Sequence, residues 1–294
     1  MFYLAHRPLC ALTLLLAATL AAQQPAPANR KVIKDPTEYN AYMAALNTQD
    51  AASRAAAMEA FARQYPQSVV YTDALEQEMA AWQQTGDMGK VKEAAKQLLI
   101  VDTGNVRALA VLVALDRISA SHGDKPSLDE LCLYSTAGMR EVPQWQKPEG
   151  MSDADFTQLS NQMNGIFLGA AGFCALQQKN YSQARDFYTR ACGLDSTSLQ
   201  DVYQLAVADL EMTPLDASGF WYCARAMHVA EKANNTAAVN GIAPYCKSRY
   251  TRYHGSLDGW DALLASSATQ DTLPANFAAT ITQAPTAPPA QNSK

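Results

Sequence analysis

The stretch Leu168–Ser196, LGAAGFCALQQKNYSQARDFYTRACGLDS, constrains the fold more than any other part of this chain. Small or apolar residues recur at helical spacing at Leu168, Ala171, Gly172 and Ala175, and again at Ala184, Tyr188 and Ala191 after the polar run Gln177-Gln178-Lys179-Asn180. Two short amphipathic helices that face each other across a turn satisfy this pattern. Small residues at Gly172, Ala184 and Ala191 allow the two backbones to approach closely, Tyr181 and Tyr188 fill the space between them, and Leu194-Asp195-Ser196 ends the second helix. The hydrophobic residues, 48% of the chain, are rich in Ala, which favours helices over strands throughout.

The same order returns upstream. Leu75, Trp82, Gly86, Asp87, Ala95, Leu98 and Val101-Asp102-Thr103 fall at corresponding spacings, preceded by the turn Tyr65-Pro66-Gln67-Ser68. A third, fainter copy lies between Pro36 and Pro66 with Tyr39, Tyr42 and Leu46. With these residues in place, the chain resembles the tetratricopeptide repeat of exported bacterial proteins, a helical hairpin of about 34 residues. The resemblance implies an all-α fold, a right-handed solenoid of stacked hairpins that grows by adding units. It also implies a concave groove for a protein or peptide, lined by first-helix residues off the packing stripe. Those offsets select Asp73, Glu76 and Gln83 in the upstream copy and Phe173 and Gln177 in the clear one. Phe173 has a second reading, as a core residue between neighbouring hairpins.

Around the repeats the chain divides further. Residues 1–22 read as a secretory signal: His6 and Arg7, the apolar run Leu9–Leu20, then small residues placing cleavage at Ala21 or Ala22. The apolar run is shorter than the roughly 20 residues that a spanning helix needs. Residues 23–35 are expected to form a disordered spacer, 36–120 repeats, 121–151 an irregular insertion around a helix near Leu128–Met139, 152–268 further repeats with a capping helix, and 269–294 a disordered tail rich in Thr, Pro, Ala and Gln. Loss of residues 1–22 removes Arg7 and no acid, so the formal charge of −5 becomes one unit more negative. An acidic exported chain is a poor match for nucleic acid or anionic lipid. The expected location is the periplasm or cell envelope.

Motifs for chemistry are sparse. There is no G-x-S-x-G nucleophile elbow, phosphate loop, dinucleotide fingerprint, H-E-x-x-H or C-x-x-C, so no cofactor and no metal are expected. The leading expectation is a non-enzymatic scaffold. Its rival is an envelope hydrolase or carbohydrate-binding protein with a site near His228, His254 and Trp260, since Tyr250–Asp261 gathers aromatic, imidazole and charged groups in a short span. Cys223 and Cys246 lie symmetrically about Asn234-Asn235, so antiparallel helices bring them to one height; a disulfide between them is expected in an oxidising compartment, contributing about 2 to 4 kcal/mol. Pro244 is the obstacle, because a kink there would turn Cys246 away.

The signal assignment predicts a mature chain that begins at or near Ala22 or Gln23. Intact-mass measurement on protein from the native host checks this, and a mass that retains residues 1–22 contradicts it.

Overall fold

Side-chain caps punctuate the chain and set where its helices begin. Asp35, Asp50, Asp87, Asn105, Asp124, Asn180, Ser198 and Asn235 each accept a hydrogen bond from a backbone N–H in the first turn of the helix that follows. In the computed structural model, which describes residues 31–285, the result is all-helical. Among the described residues there are twelve α-helices and no strands, with 75% helix. They are α1 (Pro36–Leu46), α2 (Ala51–Gln64), α3 (Tyr71–Thr85), α4 (Met88–Val101), α5 (Val106–Ser121), α6 (Lys125–Glu141), α7 (Asp153–Gln177), α8 (Tyr181–Leu194), α9 (Leu199–Glu211), α10 (Ser218–Lys232), α11 (Thr236–His254) and α12 (Trp260–Thr269). Helices that are neighbours in sequence pack on one another. The expected cleavage site at Ala21 and Ala22 lies outside the described residues.

Two turn types alternate. In the first, a residue with positive φ stands directly before the capping Asp or Asn: Gly86 before Asp87, Gly123 before Asp124, Lys179 before Asn180 and Asn234 before Asn235. This reverses the chain tightly, with the left-handed residue ending one helix and the next side chain starting another. In the second, the helix ends in a residue that has left the helical conformation, Tyr65, Asp102 or Asp195, whose N–H still reaches the carbonyl four residues back. The carbonyls of these three residues then accept from Ser68, Asn105 and Ser198.

The described residues form two compact units, one up to Ala170 and one from Ala171. In the first, Met58, Phe61 and Ala74 join α1, α2 and α3, and Leu75, Val91, Leu98 and Leu112 join α2 through α5. Helix α5 is buried along most of its length, as its almost wholly apolar sequence VRALAVLVAL requires. In the second, Ala184, Tyr188 and Leu205 link α7, α8 and α9, and a larger core gathers Phe220, Trp221, Ile242 and Trp260. Glycine permits the closest approaches: a Cβ at Gly172 would lie 2.7 Å from the Tyr188 ring, and one at Gly138 would lie 2.3 Å from the Phe167 ring.

Two expectations need correction, and a third needs extending. The helix expected near Leu128–Met139 is α6, which is longer than expected at 17 residues and packs along α5. The spacer is ordered at its end: Ile33 packs against the core of α1 and α2, and Lys31 forms an ion pair with Asp73 at 2.7 Å. The tail too is structured as far as residue 285, where Phe277 and Ile281 are buried in the core around Trp221. Its Thr/Pro/Ala/Gln composition hides the three anchors Leu273, Phe277 and Ile281.

Two buried acids make stability pH-dependent. Burial, then the neighbouring Glu59 carboxylate, pushes Glu78 up to about 7; burial, then Asp216, pushes Asp209 up to about 7. Both native values are raised, so the folded state binds more protons than the unfolded one between the ordinary carboxylate range and pH 7. Stability is full below that range and falls as pH rises through about 7, each group adding a slope of up to about 1.4 kcal/mol per pH unit. The capping carboxylates Asp50 and Asp124 are held low by the bonds from Ser53 and Ser127 and act only at more acidic pH. Urea unfolding from pH 5 to 8 is expected to show this decline, and Glu78→Gln with Asp209→Asn to flatten it.

Candidate functional site

The residues off the packing stripe of α3 recur at three- and four-residue spacing, so Asp73, Glu76, Gln77, Ala80, Gln83 and Gln84 share one face of that helix. In the structure this face carries an ordered polar row. Glu76 accepts from Asn105 Nδ2 at 2.7 Å and from Arg107 Nη1 at 3.0 Å, which ties α3 to the start of α5. The Arg107 guanidinium lies 5.9 Å from the centroid of the Trp145 ring, which in turn meets Phe156 at 5.4 Å. On the other side Tyr42 of α1 faces the same acids, and its hydroxyl is held protonated by burial first and then by the Asp73 and Glu76 carboxylates. The row thus runs from α1 across α3 and α5 to the segment after α6.

Beside it lies a cleft of about 310 Å³ lined by Leu46, Arg54, Gln77, Ala80, Ala81 and Gln84. Arg54 closes its polar edge, donating to Thr48 O at 3.1 Å and to Gln84 Oε1 at 2.5 Å. Asp73, Glu76 and Gln83 therefore stand together, all half-buried. The Asp73 and Glu76 carboxylates, however, are already engaged within the chain, which makes the surface a preorganised pattern of neutralised pairs flanked by half-buried amide and indole groups. The sequence pattern does not select Arg107, Trp145 or Tyr42 for this face. Arg107 sits in an apolar helix, and Trp145 lies in a proline-rich connector with no periodicity to read.

The remaining expected residues are scattered. Phe173 is buried, at 7% exposure, and so offers no face to a groove, whereas Gln177 is exposed in the last turn of α7. The second reading of Phe173 is the one that fits, since Gly172 beside it already brings α7 against Tyr188. Cys223 of α10 and Cys246 of α11 are joined in a disulfide with Cα atoms 5.9 Å apart. Helix α11 runs unbroken through Pro244, so Cys246 keeps its register. Cys192 is a free thiol, pushed up to about 12 by burial and by the Asp201 and Asp195 carboxylates, and stays protonated at neutral pH.

His254 and Trp260 both pack on the Tyr250 ring, each with its ring centroid 5.3 Å away. Trp260 is buried in the core, so its indole face is not open to a sugar. His228 turns Nε2 into the interior, where it finds no hydrogen-bond partner, and His254 Nδ1 lies 2.8 Å from the carbonyl of Thr282. Tyr250 donates to the Asp258 carbonyl at 2.9 Å, bracing the turn that Gly255 and Gly259 make with positive φ. The aromatic stretch fastens the end of the helical stack. Among the described residues no group of three or more His, Cys, Asp or Glu is placed to hold a metal ion, and no helix is long and apolar enough to cross a membrane.

Burial of Phe173 sets an expected outcome: Phe173→Ala lowers unfolding free energy by about 3 to 5 kcal/mol in denaturant titration, the cost of emptying a core aromatic site. An unchanged midpoint would return Phe173 to the surface. What the polar row does has to be read from its own chemistry, since no family model and no curated protein matches this chain.

Proposed function

We propose that this chain is an exported, non-enzymatic scaffold, a solenoid of tetratricopeptide-like hairpins that binds a protein or peptide partner in the periplasm or cell envelope through the face formed by α1, α3 and α5. The observation that carries this reading is the row Tyr42, Asp73, Glu76, Arg107 and Trp145, which links the first helices of three successive hairpins into one surface. Such a surface suits an extended partner. Half-exposed amides at Gln77 and Gln83 supply adaptable hydrogen bonds, and Trp145, stiffened by Arg107 on one side and Phe156 on the other, is the kind of rigid aromatic that dominates binding energy. The hairpin turns support the repeat assignment, because α3–α4 and α7–α8 each have a left-handed residue, Gly86 or Lys179, directly before the capping side chain, and α4 and α8 each end at an Asp, Asp102 or Asp195, whose N–H reaches the carbonyl four residues back. Export is supported by the Cys223–Cys246 disulfide, a bond that persists in oxidising compartments.

A photo-crosslinking amino acid placed at Gln83 is expected to capture a partner in the envelope of the native host, whereas the same group at Glu93, exposed on the second helix of that hairpin, captures none. Trp145→Ala is expected to weaken capture by about 1 to 3 kcal/mol without loss of helicity. Equal labelling from Gln83 and Glu93, or capture indifferent to Trp145, would reject the face.

A further inference from the structure

The segment after α12 behaves as a ligand in place. From Asp271 to Ala284 it presents three apolar anchors four residues apart, Leu273, Phe277 and Ile281, while most of the residues between them are exposed. Phe277 meets Trp221 of α10 edge to face, with centroids 5.5 Å apart, and is only 8% exposed. The main chain engages the body near its end: Ala284 N–H donates to the Tyr253 carbonyl at 2.8 Å, and the Thr282 carbonyl lies 2.8 Å from His254 Nδ1. Phe277 N–H and Ala279 N–H turn inward to Pro274 and Asn276. Gly255 makes room, since a Cβ there would come within 3.2 Å of Ala284.

At the other end is a buried cation. Arg225 of α10, with a side chain 5% exposed, reaches Asp271 at 2.5 Å and the Ser267 carbonyl at 3.3 Å, and its Nε has no hydrogen-bond partner. Asp271 itself is 70% exposed. A guanidinium this deep, whose counter-ion is supplied by an exposed residue of a terminal segment, is costly to leave bare. If the segment lifts away, the floor exposes one positive charge at the end of an apolar track. The track also opens into a cleft of about 580 Å³ lined by Tyr181, Leu215, Asp216, Tyr253 and Ala278, where the segment forms one wall and much space is left unfilled.

We propose that the groove formed by α10, α11 and α12 is a peptide-binding site, that residues 271–284 are its tethered occupant, and that it accepts from a partner a peptide with a single helical turn, as at Phe277–Thr280, carrying an acidic residue followed by apolar residues at four-residue spacing. The tether holds the segment at an effective concentration of about millimolar, so it screens the groove against weak ligands and yields to a stronger one. This site does not rest on the face of α1, α3 and α5.

The test is a titration of the full chain with a fluorescent synthetic peptide of residues 271–285. Phe277→Ala with Ile281→Ala in the protein loosens the tethered segment and is expected to raise peptide affinity at least tenfold over the unaltered chain. A peptide with Asp271→Lys or Phe277→Ala is expected to bind at least tenfold more weakly than the unaltered one. The proposal is overturned if the loosened protein keeps its helicity and gains no affinity, or if it forms a concentration-dependent dimer in place of binding peptide. Should the loosened variant fail to fold, hydrogen exchange on the unaltered chain decides. The Ala284 amide is expected to exchange at least 100-fold faster than that of Ala226 in α10, and equal rates would show a segment released only by global unfolding.

Discussion

A residue in the left-handed conformation placed directly before a capping Asp or Asn is the constraint on which the rest of this structure depends. At Gly86-Asp87, Gly123-Asp124, Lys179-Asn180 and Asn234-Asn235 it ends one helix and starts the next with no slack between them. Two helices joined so tightly lie antiparallel and must present small residues where they touch. Hence Ala94 and Ala95 face the core in α4, and Gly172 admits the Tyr188 ring to 2.7 Å of where a Cβ would be. The turns at Tyr65, Asp102 and Asp195 then hand one hairpin to the next. Once the two turn types alternate, packing in sequence order follows.

That logic explains what the sequence makes legible. The cap-and-turn residues and the apolar stripes are local signals, repeated every few residues, so helices, hairpins and the Cys223–Cys246 pairing can all be read from residue spacing alone. Pro244 misleads because, although it removes one backbone hydrogen bond from the interior of α11, the helix continues past it to His254 and Cys246 still meets Cys223. The polar row on α3 is half legible. Periodicity points to Asp73, Glu76 and Gln83, but Arg107 and Trp145 arrive from residues distant in sequence, and no local pattern announces an ion pair between elements.

The tail and Phe173 show the opposite failure. Leu273, Phe277 and Ile281 share a helical spacing but lie in a run of Thr, Pro and Ala that masks it, yet three large apolar groups can hold such a segment against a waiting core. Phe173 reads as a spare aromatic only if the hairpin is considered alone; at 7% exposure in the folded chain it is a packing residue. Burial by elements far along the chain is information that spacing does not carry.

Ala-rich seams leave a problem of register that the charged residues solve. Two surfaces of small side chains discriminate weakly between alignments one helical turn apart, because shallow knobs lose little contact when they slide. Ionised groups do discriminate. Lys92 of α4 reaches the buried Asp116 of α5 at 2.6 Å and Glu130 of α6 at 3.3 Å, so one cation reads the alignment of three consecutive helices. Glu76 with Arg107 does the same between α3 and α5, and Arg249 with Glu211 between α11 and α9. Such pairs add little net stability, since desolvation offsets most of the attraction. A slip of one turn, however, would leave Asp116 at 1% exposure without its cation, a penalty of about 3 to 5 kcal/mol. Apolar burial drives these helices together, and the sparse ion pairs select which of several similar stackings is the native one.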